Sequence, residues 1–417
     1  MDLVIEQKCP TCGAPIVLHE ADRLVGCPFC GVRNYMVGGT TLRFLLPARP
    51  PAGISAEDLV YIPYIRFKGC MYQCQGHEVR HAIIDTTRIA LASDRFPLSL
   101  GLRPQAMRLR QLTAAAAGGF VGRQVKLENI FAQAVKMTAL FMLDRVGEVR
   151  HRAFIGDTLS RIYLPVYRKG EAIVDAITNS EIARDSSGWD DLAAGAAPSR
   201  KEWEPRFLST LCPRCGAQME GEPDALVLHC RNCETMWEEE EGGFSPLNWG
   251  RVPADSETDL AVPFWKVVLR QENGGMLRTF GDFLRLTGQP VVVRAEDEQR
   301  RLSFWIPAFK LPPASFLQVA HYFTLSQKRI ADGEPGELGT VYPVTLCRSE
   351  ALQSLKSVLA EATLARRDLF PRLPALELQA EAVSLVYLPF RDAGHDRIER
   401  QTAITIAAAA LKFGRKL

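Results

Sequence analysis

The stretch Cys9-Pro10-Thr11-Cys12-Gly13, with fourteen residues between Cys12 and the start of Cys27-Pro28-Phe29-Cys30-Gly31, decides how the rest of the chain is read. It recurs as Cys212-Pro213-Arg214-Cys215-Gly216, again with fourteen residues between Cys215 and the start of Cys230-Arg231-Asn232-Cys233. Landmarks downstream follow in the same order in both halves, which is what separates duplication from coincidence. Val60-Tyr61-Ile62-Pro63-Tyr64 answers to Ala261-Val262-Pro263-Phe264-Trp265, Phe96 to Pro104 answers to Trp305 to Pro313, and Ile162-Tyr163-Leu164-Pro165-Val166 answers to Val386-Tyr387-Leu388-Pro389-Phe390. The chain reads as an internal tandem duplication, each half a cysteine segment followed by a domain of roughly 150 residues.

Two Cys-x-x-Cys pairs can bring four thiolates into one tetrahedron about 2.3 Å from a metal ion. Pro after the first Cys stiffens such a turn, and Gly after the second admits the positive φ that lets backbone N–H groups face sulfur. Ile16-Val17-Leu18 and Leu24-Val25, flanking Glu20-Ala21-Asp22, read as a hairpin between the two pairs. Segments 7–35 and 210–237 thus resemble zinc ribbons with rubredoxin-like knuckles. That resemblance implies two Zn2+ per chain, one held by Cys9, Cys12, Cys27 and Cys30 and the other by Cys212, Cys215, Cys230 and Cys233. The Cys230 knuckle departs from the pattern in lacking both Pro and Gly while keeping its ligands. A four-sulfur site suits iron as well as zinc, so a rubredoxin-like electron carrier is an alternative to a structural site. Four thiolates leave no open coordination position for hydrolytic chemistry.

These readings divide the chain into a first ribbon at 1–38, an α+β domain at 39–183, a linker at 184–206, a second ribbon at 207–240 and a second α+β domain at 241–417. The linker is marked by Ser186-Ser187-Gly188 and Ala193-Ala194-Gly195-Ala196-Ala197-Pro198. The repeated aromatic and aliphatic segments predict strands. Their prolines cannot donate to a ladder, which predicts edge strands or bulges there. Helical spacing appears at Leu352, Leu355, Val358, Leu359 and Ala362, with Ser349 as N-cap, and at Ile130, Ala134 and Met137 to Leu143. The fold class is α+β.

Lys and Arg number 50 against 48 Asp and Glu, so there is no global positive field for a polyanion. The first half is nonetheless basic, with 26 basic against 21 acidic residues up to Arg206. Arg66, Lys68, Arg103, Arg108, Arg110, Arg123 and Lys126, with the aromatic strands, make nucleic-acid binding an alternative function. Core strands are the better account of those aromatics, because the acidic second half repeats them without the basic residues. No stretch approaches the roughly 18 apolar residues of a membrane span. Neither a secretion signal nor a peroxisomal tripeptide is evident, and eight of eleven cysteines in close pairs suit a reducing compartment, which places the protein in the cytoplasm.

Cys70, Cys74, His77 and His81 suggest a third metal site. A turn at Gln75-Gly76 would pair Cys74 with His77 and Cys70 with His81, roughly 13 Å apart along the ribbon and too far for one ion. Ordinary packing is the simpler reading. Cys347 has no evident His or Asn partner and reads as a small apolar residue. Gly118-Gly119-Phe120-Val121-Gly122 reads as a loop, since no phosphate-loop Lys follows. With no enzyme signature, the expected function is a non-enzymatic adaptor or assembly component that meets a protein partner through its ribbons, by strand addition or knuckle docking. Oligomeric state is not legible.

Overall fold

A computed structural model describes residues 3–37, 42–126, 147–184, 187–253, 256, 259–270, 277–331 and 333–417. The expected helix between Ile130 and Leu143 lies outside the described residues. The chain is mixed α+β and mostly strands, and it divides into two units. The first comprises Met1–Lys68, Ile84–Leu143 and Thr158–Ser209; the second comprises Gly69–Ile83, Asp144–Asp157 and Thr210–Leu417. The expected domain 39–183 is therefore not one unit, because two of its segments belong to the second. Cys70, Tyr72, Cys74, Ala153 and Ile155 share the second unit's core, where Tyr72 lies 5.8 Å from Phe316.

In the first half, β1 (Val4–Lys8) and β2 (Pro15–His19) form one antiparallel hairpin, and β3 (Leu24–Gly26) and β4 (Arg33–Met36) another. This corrects the expected hairpin around Glu20-Ala21-Asp22: β2 and β3 flank a turn, but each pairs across its own knuckle. Strands β3 and β4 lie in a separate small sheet, whereas the sheet of β1 and β2 also holds β5 (Leu42–Leu45), β6 (Val60–Gln75), β7 (Glu78–Ile89), β8 (Arg108–Gln111), β9 (Gly119–Phe120), β10 (Val149–Lys169), β11 (Ala172–Asp175) and β12 (Glu181–Ala183). Strand β1 pairs in parallel with β8, so the first ribbon is stitched into the sheet. Strand β13 (Phe207–Ser209), which the sequence put at the head of the second ribbon, pairs with β4 of the first.

Side chains of β10 alternate between two cores. Ile162, Leu164 and Val166 join Ile62 and Tyr64 in one, while Tyr163 and Tyr167 join Tyr61 and Phe120 in the other. Burial on both faces explains why these strands read as continuous apolar runs. The Gly-rich segment supplies β9, which pairs in parallel with Val60 and Tyr61 and stacks Phe120 on Tyr61 at 4.5 Å. Gly118, at φ +94, is needed there because a Cβ would stand 2.7 Å from the Leu59 carbonyl.

The second unit contains β14 (Val227–Cys230), β15 (Thr235–Glu240) and β16 (Gly243–Pro246) in a small sheet. A larger one holds β17 (Trp249–Arg251), β18 (Leu260–Leu269), β19 (Ser303–Pro307), β20 (Ala380–Asp392), β21 (Asp396–Glu399) and β22 (Thr405–Ala407). Helices Pro313–Leu325 and Arg348–Ala362 pack on it. The second begins earlier than expected: Cys347, not Ser349, is the N-cap, because its thiol accepts from the third helical amide while the Glu350 carboxylate accepts from the Cys347 amide.

Pro307 lies in the edge strand β19, as expected, but Pro263, Pro389 and Pro165 do not mark edge strands. Strand β18 lies between β19 and β20, and Pro263 falls just beyond its last residue paired with β19, Phe264. Pro389 falls between the residues of β20 that pair with β17 and those that pair with β21, and Pro165 falls likewise between the β5 and β11 pairings of β10. A missing N–H costs no ladder bond at a gap in the ladder. Phe96 to Pro104 is not a strand and does not match Trp305 to Pro313: Pro307-Ala308 stands where Ile89-Ala90 does, each alanine amide bonded to the Pro carbonyl of the neighbouring strand, Pro263 and Pro63.

Candidate metal centres

The structure gathers all eight expected ligands into two groups, each with its four sulfurs within 4.8 Å of one another. In the first, Cys9 and Cys30 are 3.9 Å apart and Cys12 and Cys27 3.7 Å. In the second, Cys212 and Cys233 are 3.6 Å apart and Cys215 and Cys230 3.4 Å. A tetrahedron with legs of about 2.3 Å has edges of about 3.8 Å. Both groups fit one four-thiolate metal ion, and neither leaves an open ligand position.

Local backbone bonding explains why these sequences converge. The amide of Cys9 donates to Ala14 O at 2.8 Å and that of Gly13 to Cys9 O at 2.9 Å, closing the knuckle, while the Thr11 amide reaches the Cys9 sulfur at 3.4 Å. The same two backbone bonds recur from Cys27 to Val32 O and from Gly31 to Cys27 O, and from Cys212 to Ala217 O and from Gly216 to Cys212 O. Gly13, Gly31 and Gly216 sit at φ +75, +71 and +75. In the fourth knuckle Glu234 takes the left-handed conformation, at φ +52, and its carbonyl accepts from the Trp249 indole at 3.0 Å. Without the metal the thiols of each group are unequal. The Cys12 and Thr11 amides hold Cys9 down to about 6, and the Asn232 side chain with the Ala217 amide does the same for Cys215. Although the Ala14 amide favours its thiolate, burial and the adjacent sulfurs push Cys12 up to about 12; burial is the first cause of the same rise at Cys230. A divalent cation is what allows four thiolates to coexist.

Among the described residues the first ribbon's own core is Cys9, Ile16, Leu18, Val25 and Cys27, with Ala14 and Phe207 against it, too little to hold without the ion. A buried charge network, not legible in the sequence, anchors it to the unit's sheet. Glu20, 2 % exposed, accepts from Arg66 Nε at 3.1 Å and from Ser160 Oγ at 3.2 Å; Arg66, wholly buried, also contacts Asp85 at 2.7 Å.

The Cys70 to His81 segment is not brought together as a metal site. Strand β6 runs to Gln75 and β7 starts at Glu78, so the turn is Gly76-His77 and each partner moves on by two residues, which puts Val79 rather than His77 opposite Cys74. Cys70 and Cys74 are buried, and burial pushes their thiols up to about 11 and 12. Cys347 is half-buried, and its thiol is likewise pushed up to about 12, first by burial. Among the described residues no helix is long and apolar enough to cross a membrane. Compared with known proteins, the chain matches no family model, and no curated protein and no solved structure is significantly similar to it.

Proposed function

We propose that the chain is a zinc-binding, non-enzymatic adaptor or assembly component, built by tandem duplication, whose ribbons hold structural Zn2+ and meet a protein partner. The observation that carries this reading is Phe29. It lies between two ligands, Cys27 and Cys30, and is 67 % exposed. An aromatic fixed outward by a metal knuckle is a preformed anchor, the kind of residue that dominates protein interfaces. Closed four-thiolate sites favour a structural role for the metal over a catalytic one. None of the eleven cysteines is in a disulfide, which fits a reducing compartment that we take to be the cytoplasm.

Nucleic-acid binding fits less well. Arg66 and Lys68 are buried, Arg103 is paired with Asp175, and Tyr64, Tyr163, Trp265 and Tyr387 are core residues, which leaves Arg108, Arg110, Arg123 and Lys126 at the surface. Elemental analysis and Phe29→Ser together test the proposal. Two zinc ions per colourless chain, and loss of a specific co-purifying protein from the variant with its zinc retained, are expected. Iron with thiolate colour would instead make electron transfer the function, and an unchanged set of co-purifying proteins would remove the docking role of Phe29.

A further inference from the structure

In the second unit Tyr387 of β20 pairs in parallel with Arg251 of β17, and Ala261 of β18 forms a parallel bridge with Val341. The first half has the same two pairings, Tyr163 with Leu45 and Tyr61 with Phe120. Arg251 therefore stands where Leu45 does, Ala261 where Tyr61 does, Val341 where Phe120 does and Tyr387 where Tyr163 does. In the first half these positions form a packed aromatic cluster: Tyr61 stacks on Phe120 at 4.5 Å, Phe120 meets the edge of Tyr163 at 5.1 Å, and Leu45 packs against them. In the second half both stacked rings are gone, and Arg251, Ala261 and Tyr387 line a cavity of about 550 Å³ with Leu338 and Pro389. That volume lies in the range of small-molecule sites, roughly 300–1,000 Å³.

Charged groups on the cavity differ in how they are met. Asp259 accepts from Arg400 at 2.6 Å, Arg231 contacts Glu220 at 2.8 Å, and Glu337 is exposed to solvent. Arg251 makes no ion pair among the described residues, and its Nε is buried without a hydrogen-bond partner there. Its guanidinium lies against Gly336, where a Cβ would stand 2.8 Å from Nε, so the glycine leaves it that room. A buried donor is costly unless an acceptor meets it, and a guanidinium fork matches carboxylate and phosphate geometry. We infer that this cavity binds a small aromatic anion, a planar ring carrying a carboxylate or phosphate group. The ring takes the space that Tyr61 and Phe120 fill in the first half, against Ala261, Leu338, Pro389 and the Tyr387 ring, and the anionic group meets Arg251.

Calorimetric titration of the full, zinc-loaded chain with naphthoate and with adenosine monophosphate tests this and separates the carboxylate from the phosphate. At least one of the two should bind saturably at one site per chain. Two variants borrow their residues from the first half. Arg251→Leu should weaken that binding about tenfold. Ala261→Tyr, which returns one ring to the cavity, should abolish it in protein that keeps two zinc ions and its circular dichroism. Absence of saturable binding by both compounds, or binding unaltered in Arg251→Leu, overturns the inference.

Discussion

In the first half Pro63 O accepts from the Ala90 amide at 2.9 Å, and Ala90 O accepts from both Gln124 and Val125; in the second half Pro263 O accepts from Ala308 at 3.1 Å, and Ala308 O accepts from both Thr345 and Leu346. Tyr61 O takes Val121 N and Ala261 O takes Tyr342 N, while Tyr163 O takes Leu46 N and Tyr387 O takes Val252 N. Even the turn after β11, where Asp175 accepts from Asn179 at φ +56, has its counterpart after β21, where Glu399 accepts from Ala403 at φ +61. These backbone bonds correspond, yet the side chains on them differ. At one sheet position the first half buries an ion-pair network, and where it has Asp85, five residues before Ala90, the second has Ser303, five before Ala308. At one knuckle the first ribbon has glycine and the second a glutamate. Backbone bonds tolerate most side chains and charge pairs do not, so the same backbone bonds can carry different side-chain chemistry.

The largest effect expected from breaking this comparison is at the metal. Cys27→Ser and Cys230→Ser should each lower zinc from two to one per chain, and the cooperative unfolding of the affected half should be lost; elemental analysis with thermal denaturation checks both. Loading the empty protein with zinc in weak buffer should release protons, because thiols such as Cys12 and Cys230, pushed up to about 12, keep their protons at neutral pH until the metal displaces them. Affinity should therefore rise with pH and zinc should leave on acidification. Equal proton counts with and without metal would contradict this.

Next comes the buried network. Glu20→Ala removes a carboxylate from beside the buried Arg66 and should cost about 3 kcal/mol in urea unfolding, whereas Ser303→Ala, at the position corresponding to Asp85, should stay within about 0.5 kcal/mol. Similar losses at both sites would mean that the halves are not as different as their side chains imply. At the knuckles the sign should invert: Gly31→Ala destabilises by about 1 kcal/mol, and Glu234→Gly stabilises by a similar amount, since each moves a left-handed position away from or toward glycine. The smallest effect is at Pro389, where alanine regains an N–H that no ladder awaits. Its unfolding midpoint should be unchanged within about 0.5 kcal/mol.

The sequence alone determined the two four-cysteine groups, because a Cys-x-x-Cys knuckle is closed by bonds spanning only four to five residues, such as Gly13 N to Cys9 O and Cys9 N to Ala14 O. It also determined the helix at Arg348–Ala362 and the strands at Val60, Ile162, Ala261 and Val386, whose periodicity is local. Tertiary structure alone decided the partners. Nothing in Phe207–Ser209 announces that it pairs with β4, and nothing in Gly69–Ile83 announces that it joins the second unit's core. Arg66 looked like a surface cation until Glu20, forty-six residues away, met it in the interior. Prolines that argue for edges sit inside sheets because the ladder breaks at those residues, a property of which strands end where. Strand pairing and charge burial depend on contacts between distant segments, whose energies a linear pattern does not carry.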